Sequence, residues 1–291
     1  MTPDSLSQLI QNMNRPFMKF LTLFLCLCAT TPVLASTSYY RFNPEDRFDL
    51  EFLWATEQTK DSVTKEVDGT YTKADVSLLY HLNPQYDVRF FVSSVLMTYE
   101  EEENDYGLDL AEVMIRDNKF LKNIFPNSNI SLELKSYYLL DDEKRERYGF
   151  TGAFIPQLII NNRLSRKVSL ETRIRRHFYY HDNEDATLRH EDRIYFTPYY
   201  FLNRKNFLGL QFNYRHKTYG KEYFSYRTFT TQKKENEIFK VHPSFMHLLN
   251  DKTLLEFYVE TYLSNTADKR DIEQIAEDEF VVGFSAFIQA F

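Results

Sequence analysis

The sequence predicts one all-β architecture, a transmembrane antiparallel up-and-down β-barrel of about 12 strands. Three observations carry that prediction. Side-chain character alternates with a period of two along the chain after residue 35, the composition favours strands, and the connections alternate between short and long. Tyr (21) and Phe (26) are abundant while Gly is limited to 7, so the chain is rich in residues that suit a pleated sheet.

The stretch Val168 to Tyr180 shows the unit most clearly. Val168, Leu170, Thr172 and Ile174 alternate with Ser169, Glu171, Arg173, Arg175 and His177, which gives a strand one apolar and one ionic face. In a soluble sandwich the apolar face would meet a core; in a membrane barrel it meets lipid while the ionic face lines a watery lumen. A secreted sandwich would have to shelter some twelve apolar faces in one core, so the recurrence of the unit favours the barrel.

Before the first unit lies a leader. The apolar run from Phe20 to Leu27 follows Met18-Lys19 and leads to Val33-Leu34-Ala35, a signal peptide with a small-residue cleavage site. The organisation expected is therefore 1–17 as an upstream extension, 18–35 as the signal peptide and 36–291 as the barrel. Cys26 and Cys28 both fall in the leader. Cleavage would take Arg15 and Lys19 from 35 basic residues and Asp4 from 42 acidic ones, leaving 33 and 41 and a net charge of −8. That balance argues against nucleic acid as a partner. Nothing after Ala35 is long and apolar enough for a spanning helix, and an open sheet would leave backbone groups unpaired in hydrocarbon.

The first strand, about Arg47 to Thr56, sets Phe48, Leu50, Phe52 and Trp54 against Arg47, Asp49 and Glu51. The second, Tyr71 to Leu82, ends in the turn Asn83-Pro84-Gln85; the third, Tyr86 to Tyr99, is followed by the acidic loop Glu100 to Asp105. The fourth, about Gly107 to Arg116, places Ala111, Val113 and Ile115 outward, and a longer connection through Pro126 follows it. The fifth, Ile130 to Leu140, alternates Ile130, Leu132 and Leu134 with Glu133 and Lys135. After the charged loop Asp141 to Arg147 comes the sixth, Tyr148 to Ile160, with Phe150, Phe154, Leu158 and Ile160 outward.

Val168 to Tyr180 is the seventh strand, and a loop to Glu191 follows. The eighth sets Ile194, Phe196, Tyr200 and Leu202 against Arg193 and Tyr195 before the turn Asn203 to Asn206. The ninth alternates Leu208, Leu210, Phe212 and Tyr214 with Gln211, Asn213, Arg215 and Lys217, and a polar, aromatic loop runs to about Glu237. The tenth has Phe239, Val241, Pro243 and Phe245 opposite Lys240 and His242, then the turn Asn250 to Lys252. The eleventh sets Leu255, Phe257, Val259 and Leu263 against Glu256, Tyr258 and Glu260, and the twelfth runs from Phe280 to Phe291. Connections after even-numbered strands are mostly short, those after odd-numbered strands longer and charged, and the doublets Tyr137-Tyr138, Tyr179-Tyr180 and Tyr199-Tyr200 suit headgroup girdles.

The inward rows are sorted by sign. Basic lining residues are expected at Arg173, Arg175, Arg193, Arg215, Lys217 and Lys240, and acidic ones at Asp49, Glu51, Glu256 and Glu260, so that a basic wall faces an acidic wall across the lumen. His242-Pro243-Ser244 resembles the His-x-Ser strand motif of the outer-membrane phospholipase family, but its parity points both side chains into the lumen, away from an acyl ester at the lipid face. His177, His181 and His190, with Asp182, Glu191 and Asp192, resemble the rim of outer-membrane aspartyl proteases, which requires convergence that one loop does not establish. No nucleotide, zinc or dinucleotide motif is present, and no catalytic residue, metal or cofactor is expected.

In its strand count and its basic inner rows, the chain resembles small monomeric outer-membrane porins of about twelve strands, notably the oligogalacturonate-specific class. That resemblance implies a bacterial outer-membrane channel for passive diffusion of small polar or anionic solutes. The alternatives are a closed structural or surface-recognition barrel and a phospholipase-type hydrolase. The implied partners are outer-membrane lipid, lipopolysaccharide and, through the terminal Phe291 strand, the barrel-assembly machinery. Ser285 and Gln289 share the parity of Phe291 where that terminal signal usually carries apolar residues, so a bulge near the end is expected to reconcile them.

Overall fold

The computed structural model describes residues 47–60, 67–98, 105–121, 128–142, 145–146, 149–181, 188–220, 223–225, 230–232, 235–265 and 281–290. The leader, residues 99–104 of the acidic loop after the third strand and Phe291 lie outside the described residues. The strands are β1 (Phe48–Lys60), β2 (Val67–His81), β3 (Tyr86–Thr98), β4 (Asp105–Asp117), β5 (Ser128–Leu139), β6 (Gly152–Arg163) and β7 (Val168–Tyr180). They continue with β8 (Leu188–Phe201), β9 (Asn206–Tyr219), β10 (Tyr223–Ser225), β11 (Thr230–Gln232), β12 (Glu235–Asn250), β13 (Thr253–Asn265) and β14 (Val281–Gln289). Twelve of them close a barrel in which each strand pairs with its sequence neighbours, and β1 meets β14 antiparallel to seal it. The remaining two, β10 and β11, form a small hairpin within the loop between β9 and β12.

Closure is what makes this arrangement compatible with lipid, because every barrel strand has a neighbour on both edges and leaves no unpaired ladder. The period of two then sorts the side chains. Outward positions such as Phe48, Trp54, Phe90, Ile115, Phe257 and Val282 are exposed, whereas inward Asp49, Asp75, Asp87, Glu133 and Glu191 are buried. A soluble protein has the opposite distribution.

Three short turns on one rim share a local device. Asn83 Oδ1 accepts from the Gln85 and Tyr86 amides at 2.8 and 3.0 Å, and Asn203 Oδ1 accepts from the Lys205 and Asn206 amides at 2.9 Å each. Ser165 Oγ does the same for Lys167 and Val168 at 3.2 and 3.0 Å. A short side-chain acceptor closes each turn, and this fixes the hairpin register without a long loop.

Several expectations are corrected. The sixth strand begins at Gly152, because the described residues before it, Asp142, Arg145 and Glu146, are helical: the Arg145 amide donates to the Asp141 carbonyl (3.1 Å) and the Gly149 amide to the Arg145 carbonyl (2.9 Å). Gly149 ends that segment at φ 70°, a conformation glycine adopts without strain. Phe150 therefore turns inward against Tyr179, ring centroids 4.4 Å apart, and does not join the outer face. The eighth strand already starts at Leu188 and the tenth at Glu235, so His190, Glu191 and Glu237 are strand residues. β14 keeps an uninterrupted register with both neighbours, so the bulge expected near the end is absent among the described residues. Of the tyrosine doublets, Tyr138, Tyr180 and Tyr200 are exposed on the outer wall, while Tyr137, Tyr179 and Tyr199 take the opposite parity and face the lumen.

Candidate functional site

The inner wall of β7, β8 and β9 carries the most concentrated positive charge. Register places Arg175 opposite Arg193 and Arg193 opposite Arg215, so three guanidinium groups sit side by side across three strands. Like charges directly opposite each other on one face of a sheet are destabilising, so the row needs compensation. Glu191 supplies part of it, accepting from Arg193 Nε at 2.7 Å and Nη2 at 2.8 Å. Arg175 donates to the Tyr195 hydroxyl with its carbon centre 4.8 Å from that ring's centroid. Asn213, with its amide turned to present oxygen, accepts from Arg215 at 3.1 and 3.3 Å.

Compensation is incomplete. Among the described residues, Arg175 Nε and both ring nitrogens of the buried His177 have no hydrogen-bond partner. Lys217 lies opposite Glu191 one row further along, and Arg173 bonds Glu171 at 2.7 Å while keeping 45% of its side chain exposed. Arg173 is thus an exposed cation of this wall.

The acidic residues fall into two places. β1 lies six strands from β7 in the closed order, so the row of Asp49 and Glu51 stands across the barrel from Arg173 and Arg175. β13, in contrast, is paired with β12, and there the two signs meet at a seam. Lys240 is ion-paired with Glu260, and His242 lies 3.7 Å from both Glu256 and Glu260. His242 also stacks on Tyr258 (4.4 Å, 19° between planes), whose hydroxyl donates to Glu57 at 2.5 Å. Gly283 makes room for that ring, since a Cβ there would come within 2.2 Å of Tyr258 Cζ.

A third ionic group was not singled out from the sequence. His81 places Nδ1 2.7 Å from Asp87 and Nε2 2.9 Å from Asp49, with all three residues buried at the turn-side rim. Asn118, just past β4, donates to the other Asp87 oxygen at 2.6 Å. The signal was available: Asp49 shares the inward parity of Glu51, and the tight turn after residue 81 puts His81 opposite Asp87. Further round, Glu133 takes Arg116, Lys135 at 2.9 Å and Gln157 at 2.7 Å, and Arg89 donates to Glu112 at 2.7 Å.

Among the described residues, the enzyme-like constellations do not assemble. His242 and Ser244 both point inward, with the histidine held between two glutamates. His177 and Glu191 face the lumen while His190 and Asp192 share the outward parity, where Arg176 grips Asp192 through two bonds of 2.6 Å. Asp182 lies outside the described residues.

No protein-family model matches the chain, and no curated protein matches its sequence. Solved structures do match its fold. The NanC porin aligns at TM-score 0.53 and 6% identity over 83% of this chain and 100% of its own. An outer membrane channel, COG4313 from Pseudomonas putida F1, aligns at TM-score 0.53 and 11% identity over 88% of this chain and 100% of its own. The KdgM porin follows at TM-score 0.46 and 10% identity, over 82% of this chain and 98% of its own.

Proposed function

We propose that this protein is an outer-membrane channel of the porin type, passing small polar or anionic solutes by passive diffusion. The observation that carries the reading is the Arg175, Arg193, Arg215 row: three adjacent cations on an inner wall, inside a cylinder whose outer wall is apolar. Such a wall concentrates anions and orients them as they pass. Arg173 and Lys217 extend the row along the bore and Lys240 marks its edge, where Glu260 neutralises it. Asp49, Glu51, Glu256 and Glu260 form the acidic counterpart. Transport of this kind needs no cofactor and no covalent step. The fold shared with a porin and with an outer membrane channel supports the reading. The same placement puts the loop side at the cell surface, among lipopolysaccharide, and leaves the terminal strand and Phe291 to the assembly machinery.

The test is conductance. Purified protein in a planar bilayer should open discrete steps that favour anions, and Arg173→Gln with Arg175→Gln should shift the cation/anion ratio toward cations. Unchanged selectivity would remove the arginine row from the mechanism. A second reading, a closed barrel, draws on how tightly Glu133, Gln157, Glu191 and Asn213 are packed on the inner wall, each exposed by 2% or less. Silent bilayers from protein that still shows the heat-dependent gel mobility of a folded barrel would favour it.

A further inference from the structure

The outer wall of β1 to β7 carries a diagonal trough of about 660 Å³ that the channel reading leaves unused. One bank is the cross-strand row Leu50, Leu78, Phe90 and Val113, each paired with the next. The other bank is the row Val76, Val92, Ala111 and Tyr138. Both follow the hydrogen-bonding direction. Because the strands tilt, the trough climbs from Leu50, near the turn side of β1, to Tyr180, the last residue of β7 on the loop side. Ala111 and Ser136 are small where their neighbours are large, and Gly152, paired between Tyr138 and Tyr180, adds no side chain.

At its upper end the trough changes character. Tyr180 and Ser136 share a hydroxyl bond of 3.1 Å, and Arg145 donates to the Tyr138 hydroxyl at 3.0 Å, its guanidinium lying 5.5 Å from that ring. Arg145 is paired with Asp142, a residue 78% exposed, yet its Nε is buried without an acceptor among the described residues. A long apolar trough that ends in a cation among tyrosine hydroxyls has the polarity of an amphiphile with an anionic head. Tyrosine hydroxyls beside it mark the headgroup level.

We infer that the trough holds an acyl chain of lipopolysaccharide, with a phosphate of its headgroup turned toward Arg145. The inference rests on the outer-membrane placement proposed above, since that placement puts phosphorylated glycolipid in the leaflet on the loop side. It is independent of whether the bore conducts. Guanidinium and phosphate form a strong, charge-assisted bond, and an open apolar trough leaves an acyl chain free to enter from the lipid side.

The experiment uses folded full-length protein in detergent, titrated with purified lipopolysaccharide and followed by native mass spectrometry. Four variants are compared with the wild type: Ala111→Phe, Ser136→Phe, Arg145→Gln and, as control on the outward face of β14, Ala286→Phe. Filling the trough at Ala111 or Ser136 should abolish the retained lipid, Arg145→Gln should weaken it about tenfold, and Ala286→Phe should leave it unchanged. Equal binding by all five proteins would overturn the site. Retention of a glycerophospholipid as firmly as lipopolysaccharide, with Arg145→Gln without effect, would overturn the assignment of the occupant. Heat-dependent gel mobility is recorded for every sample: loss of it in the wild type indicts the membrane placement, whereas its persistence with equal lipid binding indicts the trough alone.

Discussion

Replacing His81 with Leu removes the ring that bridges Asp49 and Asp87, and the size of the loss can be worked from the geometry. All three residues are at most 4% exposed, so the exchange leaves two buried carboxylates without the contact each makes with the imidazole. Breaking a buried ionic pair from one side costs about 3–5 kcal/mol. Asp87 keeps the 2.6 Å bond from Asn118, so the expected loss is at the lower end, about 3 kcal/mol, or on the order of a hundredfold in the folded-to-unfolded ratio. The assay is reversible urea unfolding in lipid vesicles, followed by fluorescence of Trp54, the one tryptophan of the chain, which sits exposed on the outer face of β1. Adding Asp49→Asn and Asp87→Asn to the His81→Leu variant removes the stranded charges and should recover most of the loss. A midpoint shift worth less than about 1 kcal/mol would refute the argument, because it would show the three groups behaving as a solvated surface pair.

Two further outcomes are expected. Gly283→Leu drives the Tyr258 ring off the wall, breaking its stack on His242 and its bond to Glu57; single-channel conductance should fall as the ring swings into the bore, and an unaltered conductance would contradict the packing. Asn203→Ala removes two backbone bonds from the turn between β8 and β9 and should cost about 1 kcal/mol in the same urea assay, with Asn203→Asp retaining most of the stability.

Much of the architecture was legible because alternation is a local property. Phe48, Leu50, Phe52 and Trp54 declare their face without knowledge of any other strand, and the turn residues Asn83, Ser165 and Asn203 declare where strands end. Side-chain geometry between strands was not legible to the same degree. The short turn after Asn250 puts β13 beside β12, so the acidic and basic rows meet through Lys240 and Glu260 at one edge, while those of β1 and β7 stand apart. The tyrosine doublets were read as one class, though a period of two cannot place two consecutive residues on the same face. Strand ends drifted where propensity gave no stop, as at Gly152, whose position follows from the helical turns before it and not from its own neighbours.

One habit of the inner wall bears on how the cylinder is made. Lys73 with Asp75, Glu133 with Lys135, Glu171 with Arg173 and Glu191 with Arg193 are contacts of 2.7 to 3.0 Å between residues two apart on the same strand. Each partner is already present when its segment is still a solitary ribbon, so neutrality does not wait for the far wall to arrive. A nascent hairpin entering the bilayer thereby carries zwitterions and not bare ions at these four positions, which lowers the cost of stepwise insertion.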